Sequence, residues 1–429
     1  VFTLPPSPSD PAELVDALVD QLPAGAEVVV PIANGEPTAL MDELEARAER
    51  LDGVRVHQMH ALHDRPYLHG AHRGHLDHVA WFLSHVTRPA FWSGGCDLAP
   101  ANFSEVPRLL LEKSPAVVLA TASPPDEQGY FSLGVSADYA AAMIGRVPFV
   151  LQVNERMPRT YGGNRLHVSE IAGWCCHDAP LVELTPPDVT PGDEAIAALV
   201  AERIPDGATI QLGIGAIPTA VASALVDHRH LGVHTELLST PVVDLVEQGA
   251  VTGLRKQTYR GRIVATFALG TQRLYDFCDR NDTVQFLAVD RVADPRLIGR
   301  EPHFVSVNAT LEVDLLGQCA SESLGSRFWS GSGGQADFAR GAQYSEGGEG
   351  FVVLHSTTRE GATRIVPQLR QGAVVTTLKN TVDNVVTEHG VAELRGCTIE
   401  QRARSLIAVA APEHREALAA EARSLGFLR

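Results

Sequence analysis

Two glycine-rich turns carry the clearest potential for chemistry. The first lies in QLGIGAIPTAV. Gly213 and Gly215 follow a strand-like Thr209-Ile210-Gln211-Leu212 and precede Pro218 and an Ala/Val/Leu-rich helix that leads toward Glu236. Glycines let a backbone turn tightly and approach a ligand, and the free N–H groups of a helix start can receive an anion. Gly-x-Gly also serves plain packing in many strand–helix turns, so by itself it leaves both readings open. The second turn is Trp329-Ser330-Gly331-Ser332-Gly333-Gly334-Gln335-Ala336-Asp337-Phe338. Glycines at 331, 333 and 334 ahead of a predicted helix can form a backbone cradle for an anion or an oxyanion. The alternative is a flexible loop, and the bulky Trp329 and Phe338 flanks argue for a fixed position.

A third candidate is the histidine-rich stretch VHQMHALHDRPYLHGAHRGHLDHVAWFLSH, with His57, His60, His63, His69, His72, His75, His78 and His85. Its spacing matches no zinc motif and lacks a cysteine or Glu-x-x-His frame, so packed or solvated histidines are expected there. Cys175-Cys176-His177 reads the same way, because adjacent cysteines fit poorly in one tetrahedral site. No metal is expected.

The elements that must position these turns alternate strand and helix, the pattern of a parallel sheet covered on both faces. Leu14, Leu18 and Leu22 share one face of a helix over 10–21. Glu27 to Ile32 reads as a strand, Asn34-Gly35 as a turn and Thr38 to Glu49 as a helix. This unit recurs. LVDALVDQLPAGAEVVVPIANGEPTALMDEL near the start resembles IAALVAERIPDGATIQLGIGAIPTAVASAL from Ile196. Both read helix, Pro-x-Gly, strand, turn, Pro-Thr-Ala, helix, so two domains of one fold are expected, arisen by duplication. The Pro/Thr-rich segment 184–192 is the linker candidate, dividing the chain into domains 1–186 and 193–429. Further strands are expected at 115–120, 148–154, 262–269, 283–289, 304–308, 309–315, 351–355, 373–377 and 384–388. Ser136-Ala137-Asp138-Tyr139 is read as the cap of a helix, and the tail from Thr398 as helical.

Bulk properties narrow the function. A chain of 429 residues holds two or three cores. Its net charge of −17, with no basic stripe, argues against nucleic acid and acidic membrane surfaces as partners. The six scattered cysteines are no disulfide framework, which favours a reducing compartment. The first residues lack the basic and apolar regions of a signal peptide, and no apolar run is long enough to cross a bilayer, so a cytoplasmic location is expected.

The chain resembles the acetyl-CoA hydrolase/transferase family, in particular the 4-hydroxybutyrate CoA-transferases among the class I CoA-transferases. The blocks that carry the likeness are SPPDEQGYFSLGVSADY, RTYGGNRLHVSEI, QLGIGAIPTAV, FALGTQRLYDF, EVDLLGQ, GSGGQADFARGA and VVTEHGVAELRG, in family order over nearly the whole length. The resemblance implies two related open α/β domains of the CoA-transferase type, with the active site between them. It implies CoA transfer between an acyl-CoA and a small carboxylic acid through an enzyme glutamyl-CoA thioester, with an acyl-CoA hydrolase or a repurposed acyltransferase as alternatives. The glutamate falls at Glu236, in His234-Thr235-Glu236. Gly213, Ile214, Gly215, Ala216 and Ile217 would contact CoA, as would Ser330 and Gly334. Arg359 stands where relatives often have lysine. Glu312 and Glu388 are competing acids, with Glu312 read as structural. A homodimer is among the assemblies this reading allows.

Two positions depart from the family pattern. Ser239-Thr240-Pro241 replaces a Ser-Asp-Gly turn, and proline removes an N–H donor. Ala293 stands where relatives carry an asparagine thought to help hold the reacting carbonyl. Alanine cannot donate, which points to slower transfer or to a changed acyl group or acceptor.

Overall fold

A computed structural model describes residues 2–429. The chain divides into two compact units, Val1–Leu184 with Val264–Val292, and Thr185–Ile263 with Ala293–Arg429.

In the first unit, helix α1 (Pro11–Val19) starts at Asp10, whose carboxylate accepts from the Ala12 amide, with Pro11 in the first turn. Leu14 and Leu18 are fully buried and Leu22 packs at the edge of the same core. Strand β1 (Glu27–Val29) leads through a tight turn into helix α2 (Thr38–Ala46). Strands β2 (Val54–Gln58), β3 (Leu76–Ala80), β4 (Asp97–Leu98), β5 (Val117–Ala122), β6 (Phe149–Val153) and β7 (Gly173–Cys176) complete a seven-stranded sheet in the order β7-β6-β5-β1-β2-β3-β4. All its pairs are parallel. Val28, Val56, Val117, Leu119 and Val150 are buried against α1 and α2 in one core, as near-continuous apolar strands require.

The second unit repeats this plan. Helix α3 (Pro191–Ala201) opens with a capping box between Thr190 and Asp193. Strand β8 (Thr209–Leu212) and helix α4 (Ala216–Ala224) follow, then strand β9 (Gly232–Val233) and helix α5 (Thr240–Glu247). Strand β10 (Phe304–Ala309), helix α6 (Gln335–Tyr344) and strands β11 (Glu349–Val353), β12 (Asn384–Thr387) and β13 (Gly390–Glu393) complete a sheet in the order β13-β12-β11-β10-β8-β9. Only β13 runs antiparallel. Helix α7 (Ile399–Val409), capped by Thr398 and Gln401, covers β12 and β13 with Ala403, Leu406 and Val409.

The sequence repeat therefore falls on equivalent strands. β7-β6-β5-β1-β2 and β12-β11-β10-β8-β9 share one order and one direction. In both, the strand that leads the repeat lies between its successor on one side and the third strand of the series on the other. That is the point where strand order reverses, and open α/β sheets bind ligands in the crevice beyond the strand carboxyl ends there.

Four expectations are corrected. The segment 264–292 belongs to the first unit, so neither unit is a continuous stretch. Its bonds explain this: the Ala137 amide donates to Thr266 O at 3.0 Å, the Arg159 amide to Asp279 at 2.8 Å, and Asn34 Nδ2 to the Tyr275 hydroxyl at 2.9 Å. Ser136–Tyr139 begins no α-helix, only a 3₁₀ turn over Ala141–Met143. Asp138, at φ +29°, directs its carboxylate to the Ile32 and Ala140 amides and ties two loops together. The 373–377 stretch forms no ladder: Thr377 makes one bridge to Cys319, and the Thr376 hydroxyl is drawn to Glu322. The 262–269 strand breaks at Thr266, giving Ile263–Ala265 and Phe267–Ala268.

Candidate active site

The crevice of the second sheet is built by the turn after β8 and the segment after β9. The Gly213 amide donates to Val307 O at 3.0 Å. Beneath the turn, Gln211 and Asn308 exchange two side-chain amide hydrogen bonds of 3.1 and 2.9 Å, locking the ends of β8 and β10 together. Gly215 sits at φ +124°, a conformation that disfavours any side chain, and no side chain caps the helix α4 that starts at Ala216. The first amides of α4 thus lack intrahelical partners. Ile214 is half exposed at the tip, whereas Ile217 is buried in the helix.

After β9, His234 and Thr235 are buried, with His234 edge-on to Phe304 at 6.1 Å. The Thr235 hydroxyl lies 3.0 Å from Leu237 O and 3.4 Å from Leu212 O. The two segments that end β8 and β9 are thereby joined one residue from Glu236. Proline at 241 falls in the first turn of α5, after Ser239 as N-cap. The donor it removes is one that a helix start cannot use internally, so the first turn of the helix accommodates the proline. Ala293 is fully buried and its side chain offers no polar atom.

Glu236 meets the second glycine turn. A Cβ on Gly334 would overlap its Oε2, so the Gly334 backbone lies directly against the carboxylate. One side of the residue remains partly open, but Oε2 is sealed from solvent and has no hydrogen-bond partner among the described residues. Burial pushes this carboxyl up to about 8, reinforced by the negative charge of Asp337 and opposed by the Gly334 N–H. Gly334 is also the N-cap of α6, so the amide offered to Glu236 belongs to a helix start.

The competing acids are committed elsewhere. Glu312 accepts from the Arg370 amide at 2.9 Å and pairs with its guanidinium at 3.1 Å. Glu388 accepts from the Ser356 amide and hydroxyl at 2.9 and 2.6 Å. Arg359 stands at the exposed tip of a turn between Thr357 and Thr363, where Thr358 and Ala362 bond across its base. No hydrogen bond or ion pair joins it to Glu236. Ser330 lies half-buried in the loop, its hydroxyl on Gly331 O. Composition did not single out Asp337 or the Gln211–Asn308 pair. The signal for Asp337 was its place in the helix turn directly after the glycines.

Other candidates are engaged locally. His57 bonds Glu27 at 2.6 Å, His69 bonds Asp64 at 2.6 Å, and His78 packs edge-on to Tyr67. Among the described residues no three His, Cys, Asp or Glu are grouped to hold a metal, and no helix is long and apolar enough to cross a membrane. A concavity of about 700 Å³ in the first unit is lined by Asp126, Arg159 and Tyr275 and contains none of the predicted site residues.

Comparison with known proteins agrees on one family. The acetyl-CoA hydrolase/transferase N-terminal domain matches residues 15–186, and the C-terminal domain matches residues 270–422. A succinyl-CoA:cyclohexane-1-carboxylate CoA transferase of Geobacter metallireducens is 48% identical over 398 residues, covering 92% of this chain and 91% of that one. A 4-hydroxybutyrate coenzyme A transferase of Clostridium kluyveri is 42% identical over 404 residues, covering 93% and 94%. Among solved structures, RipA from Yersinia pestis superposes with a TM-score of 0.92 at 33% identity, covering 98% of each chain. A 4-hydroxybutyrate CoA-transferase from Porphyromonas gingivalis gives 0.80 at 34%, covering 96% of each.

Proposed function

We infer the following reaction for this chain, which belongs to the acetyl-CoA hydrolase/transferase family and is a CoA-transferase. Glu236 carries the exchange. Its ionised carboxylate attacks the carbonyl carbon of an acyl-CoA, and the C–S bond breaks to give an acyl-glutamyl anhydride and CoA thiolate. The thiolate attacks the glutamyl carbonyl and expels the first acid as its carboxylate, leaving a glutamyl-CoA thioester. A second carboxylate attacks that thioester, and the same steps in reverse deliver its acyl-CoA and restore Glu236. Atoms and charge balance with no redox partner.

The observation that carries this reading is a carboxylate with one oxygen buried and with neither donor nor cation among the described residues, lying against Gly334, which has no side chain. The competing acids are paired instead: Glu312 takes the Arg370 amide on one oxygen and faces its guanidinium at 3.1 Å with the other, and Glu388 takes both Ser356 donors. A carboxyl held near 8 is a stronger nucleophile when ionised than an ordinary one, because basicity and nucleophilicity rise together. The Gly334 N–H, on the backbone that lies against the carboxylate, would stabilise the oxyanion that forms when the glutamyl carbonyl is attacked. Such a donor is worth about 10²–10³ in rate.

The turn Gly213, Ile214, Gly215, Ala216, Ile217 offers free helix-start amides for the anionic part of CoA. Ser330 and Gly334 border the acyl end, and Arg359 is the outlying basic contact for CoA. Binding energy from the nucleotide end, remote from the reacting bond, can drive the strained geometry at the thioester. Acceptors to test first are those named for the relatives, cyclohexane-1-carboxylate and 4-hydroxybutyrate, with succinyl-CoA as donor.

The test is mass spectrometry of protein incubated with succinyl-CoA and then borohydride or hydroxylamine. Modification at Glu236, lost with all transfer in Glu236→Ala, is the expected result. An unmodified Glu236, together with full activity in that variant, would sink the reading. Release of free CoA at the same rate with and without an acceptor would instead identify a hydrolase.

A further inference from the structure

We propose that Glu322 is a positioning residue that sets the Gly331–Gly334 turn against Glu236. It rests on the reading of Glu236 as the residue that carries the acyl group.

The geometry is a two-point clamp. The main-chain carbonyl of Glu322 accepts from the Trp329 amide at 2.7 Å and the Ser330 amide at 3.3 Å, which fixes where the glycine turn begins. Its carboxylate receives the Ser332 hydroxyl, 3.4 Å from Oε1 and 3.3 Å from Oε2, which holds the middle of the turn. The Thr376 hydroxyl, 3.0 Å from Oε1, anchors the carboxylate from the other side, and Thr376 is itself fixed by its amide on Cys319 O at 2.8 Å. Glu322 is buried, and no cation pairs with it among the described residues. Every donor to it is a hydroxyl or amide of the turn or of its support.

A turn of three glycines and two serines has little conformational preference of its own. Something outside it must fix the direction of the Gly334 N–H, and only Gly333 lies between Ser332, in the clamp, and that donor. The Ser323–Phe328 hairpin closes the same base: Ser323 and Leu324 pair with Phe328 and Arg327. Glu322 is thus the one acidic side chain that joins hairpin, turn and the 376 segment. It does not touch Glu236, so its effect must pass through the amide.

The experiment compares the wild-type enzyme with Glu322→Ala, Glu322→Gln and Ser332→Ala, using succinyl-CoA and 4-hydroxybutyrate. Readouts are kcat, KM, the pH–rate profile, the melting temperature and the trapped adduct at Glu236. Glu322→Ala should lower kcat about 10–100-fold, since misplacement of about 1 Å carries penalties of that size. KM should change less than about threefold, and the pH–rate profile should move to higher pH because Glu236 loses a donor that favours its charged form. Glu322→Gln keeps an oxygen acceptor for Ser332 and should recover kcat to within about threefold of wild type. Ser332→Ala, which disturbs folding least, should shift the profile in the same direction by a smaller amount. A lowered melting temperature with unchanged kcat and pH profile in Glu322→Ala and Ser332→Ala would overturn this inference while an adduct on Glu236 still formed. Absence of that adduct in the wild type would overturn both readings.

Discussion

Gly334 has no side chain where the Glu236 carboxylate needs room: a β-carbon there would overlap Oε2 and press on the Phe338 ring. The two residues stand far apart in sequence and meet because β9 and α6 belong to one sheet unit. Gly334→Ala keeps the N–H yet displaces its acceptor. The expected outcome is a fall in kcat of about 10²–10³, the size of losing one oxyanion donor. Steady-state kinetics with succinyl-CoA checks it, and a circular dichroism melt near that of wild type would locate the effect in the site.

The pH dependence follows from the carboxyl pushed up to about 8. Transfer needs the ionised form, so the rate of thioester cleavage by excess enzyme should rise with pH and level off above about 8. A profile already flat from pH 5 to 9 would contradict that. Asp337→Asn removes the neighbouring negative charge, lowers the Glu236 value and should move the rising limb down by up to about one pH unit.

Stability should respond in the opposite sense to activity. A carboxyl raised in the folded state favours folding in its neutral form, and that contribution is lost as pH rises from the unfolded value near 4.5 through about 8. Glu236→Gln fixes a neutral group of the same shape. It should match wild type near pH 4.5 and exceed it above pH 8 by about 2–4 kcal/mol, allowing for the open side of the residue. Denaturant titrations at the two pH values measure the difference.

The other acids serve as controls. Glu312→Ala leaves the Arg370 amide and guanidinium without their acceptor, and Glu388→Ala does the same to Ser356. Each should cost about 1–3 kcal/mol of stability. Both variants should still give the trapped adduct on Glu236 at temperatures where they are folded.

Much of the scaffold was readable in the residues. Paired helix–Pro-x-Gly–strand units announced two sheets of one plan, because apolar strand runs and capped helices are local signals; Thr190-Pro191 and Thr398 mark helix starts in the chain itself. The Gly213–Gly215 turn was legible for the same reason. Glu236 was not, except through resemblance. What distinguishes it is a buried Oε2 with neither a donor nor a cation beside it among the described residues, whereas Glu312 Oε2 faces the Arg370 guanidinium at 3.1 Å and Glu388 takes two bonds from Ser356; that is decided by residues remote in sequence. The insertion of 264–292 into the first unit was illegible too. It depends on bonds such as Asn34 to Tyr275, which no local pattern encodes. Arg359 stands out only through the resemblance, as a position where relatives often have lysine, and the turn that carries it faces solvent.

The duplicated plan has a consequence for stoichiometry. In the first sheet the matching turn is stoppered from within: Asn34 is bonded to the carbonyl of Val182 and to Tyr275, and a side chain on Gly35 would strike Pro31 and Ser136. The matching turn of the first unit is thus filled by its own side chains. A saturating dose of acyl donor should label each polypeptide once, so that the shared strand order repeats as architecture and one turn alone takes up the acyl group.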